Sequence, residues 1–271
     1  MKRVAVSGSF DDLRSGHIRF LEESSKLGDV HVLLWPDETV QSLEGHPPKF
    51  PQSERQYLVE AIRFVKHVTI VSGRFDPDAL PPLAGARPDI WAVDEKSDTK
   101  AKRAFCQSHG LEYRILSNKE LAGFPSSDPE PSAPGRKKVI VTGCYDWFHS
   151  GHIRFFEEVS QLGDLYVVVG HDENVRLLKG EGHPLFPQDE RRYLVGAVRH
   201  VKQALVSTGH GWMDAEPEIH RLRPEMYAVN EDGDKPEKRE FCRQHGLQYV
   251  VLKRTPREGL TQRSSTNLRG F

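Results

Sequence analysis

The sequence predicts an α/β protein of two tandem domains, each built on a parallel sheet. Three observations lead there. The chain repeats itself over the length of a domain: Gly8 pairs with Gly143 and His17 with His152 at a shift of 135, and PQSERQYLVEAIRFVK pairs with PQDERRYLVGAVRHVK at a shift of 136. Within each copy, β-branched runs alternate with segments of helical spacing, which implies parallel strands joined by right-handed crossovers. Between the copies, GFPSSDPEPSAPGRK (residues 123–137) is rich in Pro, Ser and Gly and has no apolar period, so it reads as a linker. The expected domains are 1–122 and 138–271, consistent with 271 residues at roughly 100–150 per domain.

In the second copy, RKKVIVTG is a first strand ending in glycine. IRFFEEVSQLG places Ile153, Phe156, Val159 and Leu162 at helical spacing and predicts a helix stopping at Gly163. DLYVVVGH is the next strand, ERRYLVGAVRHV an amphipathic helix that includes Arg199, and QALVS, MYAVN and QYVVL are further strands. TGCYDWFHSGH joins the first strand to the first helix, past the strand's carboxyl end, where such sheets bind ligands.

Composition narrows the function. Lys and Arg number 38 against 39 Asp and Glu, so no global field holds nucleic acid or an anionic membrane. No apolar run approaches the ~20 residues that span a bilayer, and Met1-Lys2 runs directly into the strand VAVSGSF with no signal peptide. Cys106, Cys144 and Cys242 form no CxxC and read as small hydrophobes in a reducing compartment. A cytoplasmic protein without nucleic-acid or membrane partners is expected.

The corner itself carries chemistry. His149 and His152 lie one helical turn apart, so both rings can face one side. The amides and dipole of a helix N-terminus favour an anion there, and two imidazole donors suit a phosphate gaining charge. Gly151 is expected to let a ligand approach the backbone.

These residues carry a resemblance. CYDWFHSGH resembles the His-x-Gly-His signature of the nucleotidyltransferase superfamily in its cytidylyltransferase-like branch, which includes phosphoethanolamine, phosphocholine and glycerol-phosphate cytidylyltransferases and the heptose-phosphate adenylyltransferase. LLKGEGHPLFPQDERRY is similar to the family's Lys-Gly loop and Gln-Glu-Arg helix, AVRHV to its arginine-bearing segment, and KRTPREGLTQRSSTNLRG to its closing motif. In that last segment, extra residues separate Arg254 from Ser264.

The resemblance implies two Rossmann-like nucleotidyltransferase domains packed as an internal pseudo-dimer, in a chain that could act as a monomer. It implies attack of a substrate phosphate on the α-phosphate of a nucleoside triphosphate, with pyrophosphate released. By the same resemblance His149 and His152 hold the α- and β-phosphates, and Lys179 neutralises the substrate phosphate or the triphosphate. Arg199 and Arg254 bind phosphate oxygens, while Ser264, Ser265 and Thr266 cap a helix over the triphosphate. Gly143, Cys144, Tyr145, Asp146 and Gly151 line the nucleotide, Asn230 and Asp232 meet ribose or base, and Mg²⁺ is the counter-ion. CTP is preferred over ATP, and the acceptor is a small phosphorylated alcohol or sugar.

The first copy departs from this pattern. Arg14 replaces the first histidine, Glu44 stands where Lys179 does, and Ser117-Asn118-Lys119 replaces Lys253-Arg254-Thr255 without a closing motif after it. Gly8, Asp11, Gly16 and His17 are kept. A first half retained as fold and packing partner is expected, with the chemistry in the second. The alternatives are an ATP-using adenylyltransferase and a non-catalytic nucleotide-binding protein. An RNA-directed enzyme is disfavoured by the balanced charge and by the lack of an added RNA-binding region.

Overall fold

The computed structural model describes residues 1–73, 76–81, 87–126 and 131–265. The chain divides into two compact units, Met1–Gly123 and Phe124–Phe271. In the first, chain order is β1 (Arg3–Gly8), α1 (Ser15–Ser25), β2 (Asp29–Leu34), α2 (Asp37–Glu44), α3 (Gln52–Glu60), β3 (Val65–Ile70), β4 (Ile90–Asp94), α4 (Lys100–His109) and β5 (Glu112–Leu116). In the second it is β6 (Lys138–Gly143), α5 (Ser150–Ser160), β7 (Asp164–Val169), α6 (Asp172–Lys179), α7 (Gln188–Gly196), β8 (Val201–Val206), α8 (Glu216–Leu222), β9 (Met226–Asn230), α9 (Pro236–Gln244) and β10 (Gln248–Leu252).

Among the described residues each unit holds a five-stranded sheet, ordered β3-β2-β1-β4-β5 and β10-β9-β6-β7-β8. All neighbours pair in parallel, as the alternation of strands and helices predicted. Parallel strands covered on both faces read as continuous apolar runs, and β7 (DLYVVV) is buried at every position. Ile140, Val168 and Tyr227 of the sheet pack with Ile219 of α8 and Phe241 of α9. Strand order reverses between β6 and β9, so the loops leaving these two strands part and open a crevice at their carboxyl ends. Burial pushes the Cys106 and Cys242 thiols up to about 11, which makes them the inert small hydrophobes expected. No described helix is long and apolar enough to cross a membrane.

Three local readings change. Helix α5 starts at Ser150 and ends at Ser160, so Leu162 lies beyond it and is 38% exposed rather than part of an apolar stripe. Helix α7 ends at Gly196, where the Ala197 amide bonds back to the carbonyls of Tyr193 and Leu194. Val198 is then buried and Arg199 lies exposed in the turn before β8. The described part of the expected linker is fastened to the second unit. The Phe124 ring lies 5.8 Å from that of Tyr193, Lys202 Nζ donates to Pro131 O at 3.1 Å, and Arg136 pairs with Asp164.

Candidate active site

From Gly143 at the end of β6, the chain reaches α5 through a corner in which Tyr145 has a left-handed backbone, φ 56°. For a non-glycine residue this costs about 1–3 kcal/mol. Burial of the ring offsets it: Tyr145 lies 5.2 Å from the His152 ring and 5.4 Å from Phe156. A Cβ on Gly143 would come within 2.8 Å of that tyrosine ring. Gly143 therefore makes room for Tyr145.

The two histidine rings stack with centroids 4.0 Å apart. The Gly151 amide donates to His149 Nδ1 at 3.1 Å, and the His149 amide to His152 Nδ1 at 3.3 Å. Both Nδ1 atoms are acceptors, so each ring carries its proton on Nε2. Burial above all, then Arg254 and Arg263, brings His149 down to about 3. Burial, followed by His149, Arg254 and Lys179, holds His152 well below its ordinary value. Both rings are therefore neutral donors at neutral pH. His149 is 1% exposed, and its Nε2 is buried with no hydrogen-bond partner among the described residues. Leaving such a donor unpaired costs about 1–3 kcal/mol, which an incoming acceptor would recover. A Cβ on Gly151 would meet the His149 ring at 2.9 Å, so the absence of a side chain there makes room for the histidine.

The loop after α6 is tied to this corner. Asp146 accepts from the Leu185 amide at 2.8 Å and the Phe186 amide at 3.0 Å. Its buried carboxylate thus positions the loop that follows Lys179, the last residue of α6, and carries His183. Arg191, 2% exposed, donates to the carbonyls of Phe186, Cys144 and Gly170 and to Asp172, all at 2.7–2.8 Å. One guanidinium fork therefore fixes the exits of β6 and β7, the start of α6 and the loop before α7.

A cavity of about 310 Å³ lies over the crevice. Of the residues expected at the site, His149, His152, Lys179, Gly143, Cys144, Tyr145, Asp146, Gly151, Asn230, Asp232, Arg254, Ser264 and Ser265 all line it. Arg199 is not among the lining residues, because the turn that ends α7 carries it to the surface. Thr266 lies outside the described residues. Asp232, expected at ribose or base, is paired with Arg254 Nη1. The extra residues of the closing segment do not keep it from the site: Arg254 Nη2 donates to Arg263 O at 2.7 Å, and Ser265 Oγ to Trp147 O at 3.5 Å. Lining residues that the sequence reading passed over include His183, Trp147 and Lys238. Lys238 left a signal, for GDKPEKRE aligns with SDTKAKRA of the first copy and puts Lys238 against Lys102.

The matching corner of the first unit is occupied differently. Arg14 Nη2 donates to Asp12 at 2.7 Å, and Lys49 Nζ lies 3.2 Å from the same carboxylate. Trp35 takes the place of Gly170, and its Nε1 donates to Ser7 Oγ at 2.8 Å. Ser7 matches Thr142, part of the second unit's cavity wall.

The cytidylyltransferase-like family model matches residues 5–127 and again 140–269. The chain belongs to the cytidylyltransferase-like family. It is a nucleotidyltransferase. It is 33% identical to the FAD synthase of Ferroglobus placidus over 135 residues, 49% of this chain and 85% of that protein. It is 36% identical to the FAD synthase of Thermococcus kodakarensis over 123 residues, 44% and 80% respectively. A segment of 68 residues, 25% of the chain, is 41% identical to the bifunctional protein HldE of Desulfatibacillum aliphaticivorans and spans 14% of that protein. The crystal structure of a lipopolysaccharide core biosynthesis protein from Thermoplasma volcanium matches at TM-score 0.39 and 25% identity, covering 46% of this chain and all of that one.

Nucleotidyltransferases of this family typically use a divalent metal. Among the described residues, no group of three His, Cys, Asp or Glu is placed to hold an ion. The cavity's carboxylates are committed, Asp232 to Arg254 and Asp146 to loop amides. The described side chains do not form a metal ligand set of their own.

Proposed function

We propose that the second unit transfers a nucleoside monophosphate from ATP to the phosphate of a small acceptor and releases pyrophosphate. The observation that carries this reading is the buried Nε2–H of His149, without a partner among the described residues, at the wall of a cavity ringed by Lys179 and Arg254. An acceptor phosphate oxygen attacks the α-phosphorus, a new P–O bond forms, the α–β bridge breaks, and the electron pair leaves on pyrophosphate. No proton transfer is needed, so the protein's part is to position the phosphates and stabilise their charge. Neutral imidazole donors serve this without altering protonation during the step, each contributing about 10²–10³ in rate.

The expectation of CTP gives way to ATP on the strength of the relatives named FAD synthase. FAD is FMN joined to AMP through a pyrophosphate, so such an enzyme adenylylates a phosphate monoester. FMN is accordingly the first acceptor to test, ahead of glycerol phosphate, phosphoethanolamine and sugar phosphates. The first unit, whose cations are drawn onto Asp12, does no chemistry in this reading. Pyrophosphate release by the purified protein, with ATP or CTP against each acceptor, tests the proposal. Release with ATP and one phosphate monoester, abolished in His149→Asn, is expected. Release with CTP alone would restore the cytidylyl reading, and release from neither nucleotide would overturn transfer.

A further inference from the structure

One lysine of the cavity has no part in the reaction as derived above. Lys238, near the start of α9, lines the cavity beside Asn230, Asp232 and Gly233. Its Nζ donates to Gly233 O at 3.2 Å, and no carboxylate among the described residues pairs with it. Nearby, Asp232 is taken by Arg254 and Asp234 by Arg239. An ammonium has three donors, so after Gly233 two remain for a ligand.

The first unit supplies the contrast. Lys102 makes the same tether, donating to Ser97 O at 2.6 Å, but Asp78 stands 3.7 Å from its Nζ and balances the charge. Tethering the loop is thus common to both units, whereas in the second the nearby Asp232 and Asp234 act on the lysine only at a distance, each being paired with an arginine. The side chain lies just past the carboxyl end of β9, held to Gly233, in the part of the cavity wall that follows Asn230 in the chain.

We propose that Lys238 binds the nucleotide at its nucleoside end, donating from Nζ to a ribose oxygen or to an acceptor atom of the base. This rests on the assignment of the cavity to a nucleoside triphosphate. Because an ammonium cannot accept a hydrogen bond, it does not read the exocyclic amino group of adenine or cytosine. It therefore strengthens binding without choosing between those bases.

Calorimetric titration of the full chain with ATP, and separately with inorganic tripolyphosphate, tests this. Lys238→Met is expected to weaken ATP binding about ten-fold, to leave tripolyphosphate binding within about two-fold, and to raise KM for the nucleotide with kcat held. Lys238→Arg recovers ATP binding, which also guards against a methionine variant that folds poorly. Lys102→Met changes neither titration. Unaltered ATP binding in Lys238→Met would reduce the lysine to a loop tether and overturn the proposal, as would an equal loss of tripolyphosphate binding. If the unmodified protein binds neither ATP nor CTP, the transferase reading itself falls and takes this one with it, an outcome distinct from a failure of Lys238 alone.

Discussion

Arg55 of the first unit and Arg191 of the second are each buried and each grip three backbone carbonyls and one aspartate, Asp37 or Asp172. Both corners turn on a left-handed non-glycine residue, Phe10 or Tyr145. Below this shared clamp the units part. The first holds Arg14 and Lys49 on the Asp12 carboxylate, and the second holds a neutral histidine whose Nε2 is buried and has no partner among the described residues. The clamp serves the fold and is kept in both copies. The atoms facing the cavity differ between the copies, and on the proposed reading they serve chemistry and can be replaced without disturbing the clamp.

The sharpest way to break this comparison is to remove the donors. His149→Asn and His152→Asn are each expected to lower pyrophosphate release about 10²–10³-fold, while Arg14→Ala in the first unit leaves it within about two-fold. Asparagine at 149 keeps an acceptor at the helix cap, so the loss reads on catalysis. An equal loss in Arg14→Ala would put chemistry in both units.

The clamp itself should not distinguish them. Arg55→Ala and Arg191→Ala each strand several buried acceptors and are expected to destabilise their own unit by about 3 kcal/mol, measured by urea unfolding. A much smaller cost in the first unit would mean that its fold no longer depends on the arginine.

The paired glycines sharpen the contrast on a smaller scale. A Cβ on Gly151 meets the His149 ring at 2.9 Å, whereas a Cβ on Gly16 meets nothing within 4 Å. Gly151→Ala is expected to displace the imidazole and cost about ten-fold in kcat. Gly16→Ala should be neutral, or stabilising by up to about 1 kcal/mol, as thermal melts would register.

The smallest effect is in pH. The folded values of His149 and His152 lie below the unfolded value of about 6.5. The unfolded chain therefore binds more protons in the acid range, and stability is fully present above pH 6.5. It is lost as pH falls from there toward 3, the folded value of His149. Unfolding midpoints measured from pH 7.5 to 4.5 should show that decline, less steeply in His149→Asn. Burial also lowers His17 in the first unit, so part of the slope remains in the variant.

By itself the sequence determined the duplication, the parallel α/β architecture, the corner at His149 and His152, and the replacement of its first histidine by Arg14 in the first copy. These features are written in local periodicity, in glycine and proline punctuation, and in side-chain chemistry repeated at a fixed shift. Tertiary structure alone decided what several of those residues do. Gly143 and Gly151 make room for Tyr145 and His149, and Asp146 is spent on amides 39 and 40 residues away. Arg199 is turned to solvent by the end of α7, and Lys238 reaches the cavity. A residue's type fixes what it can donate or accept, but its task depends on which partners burial leaves within reach. Those partners come from distant segments that meet only when the sheet closes.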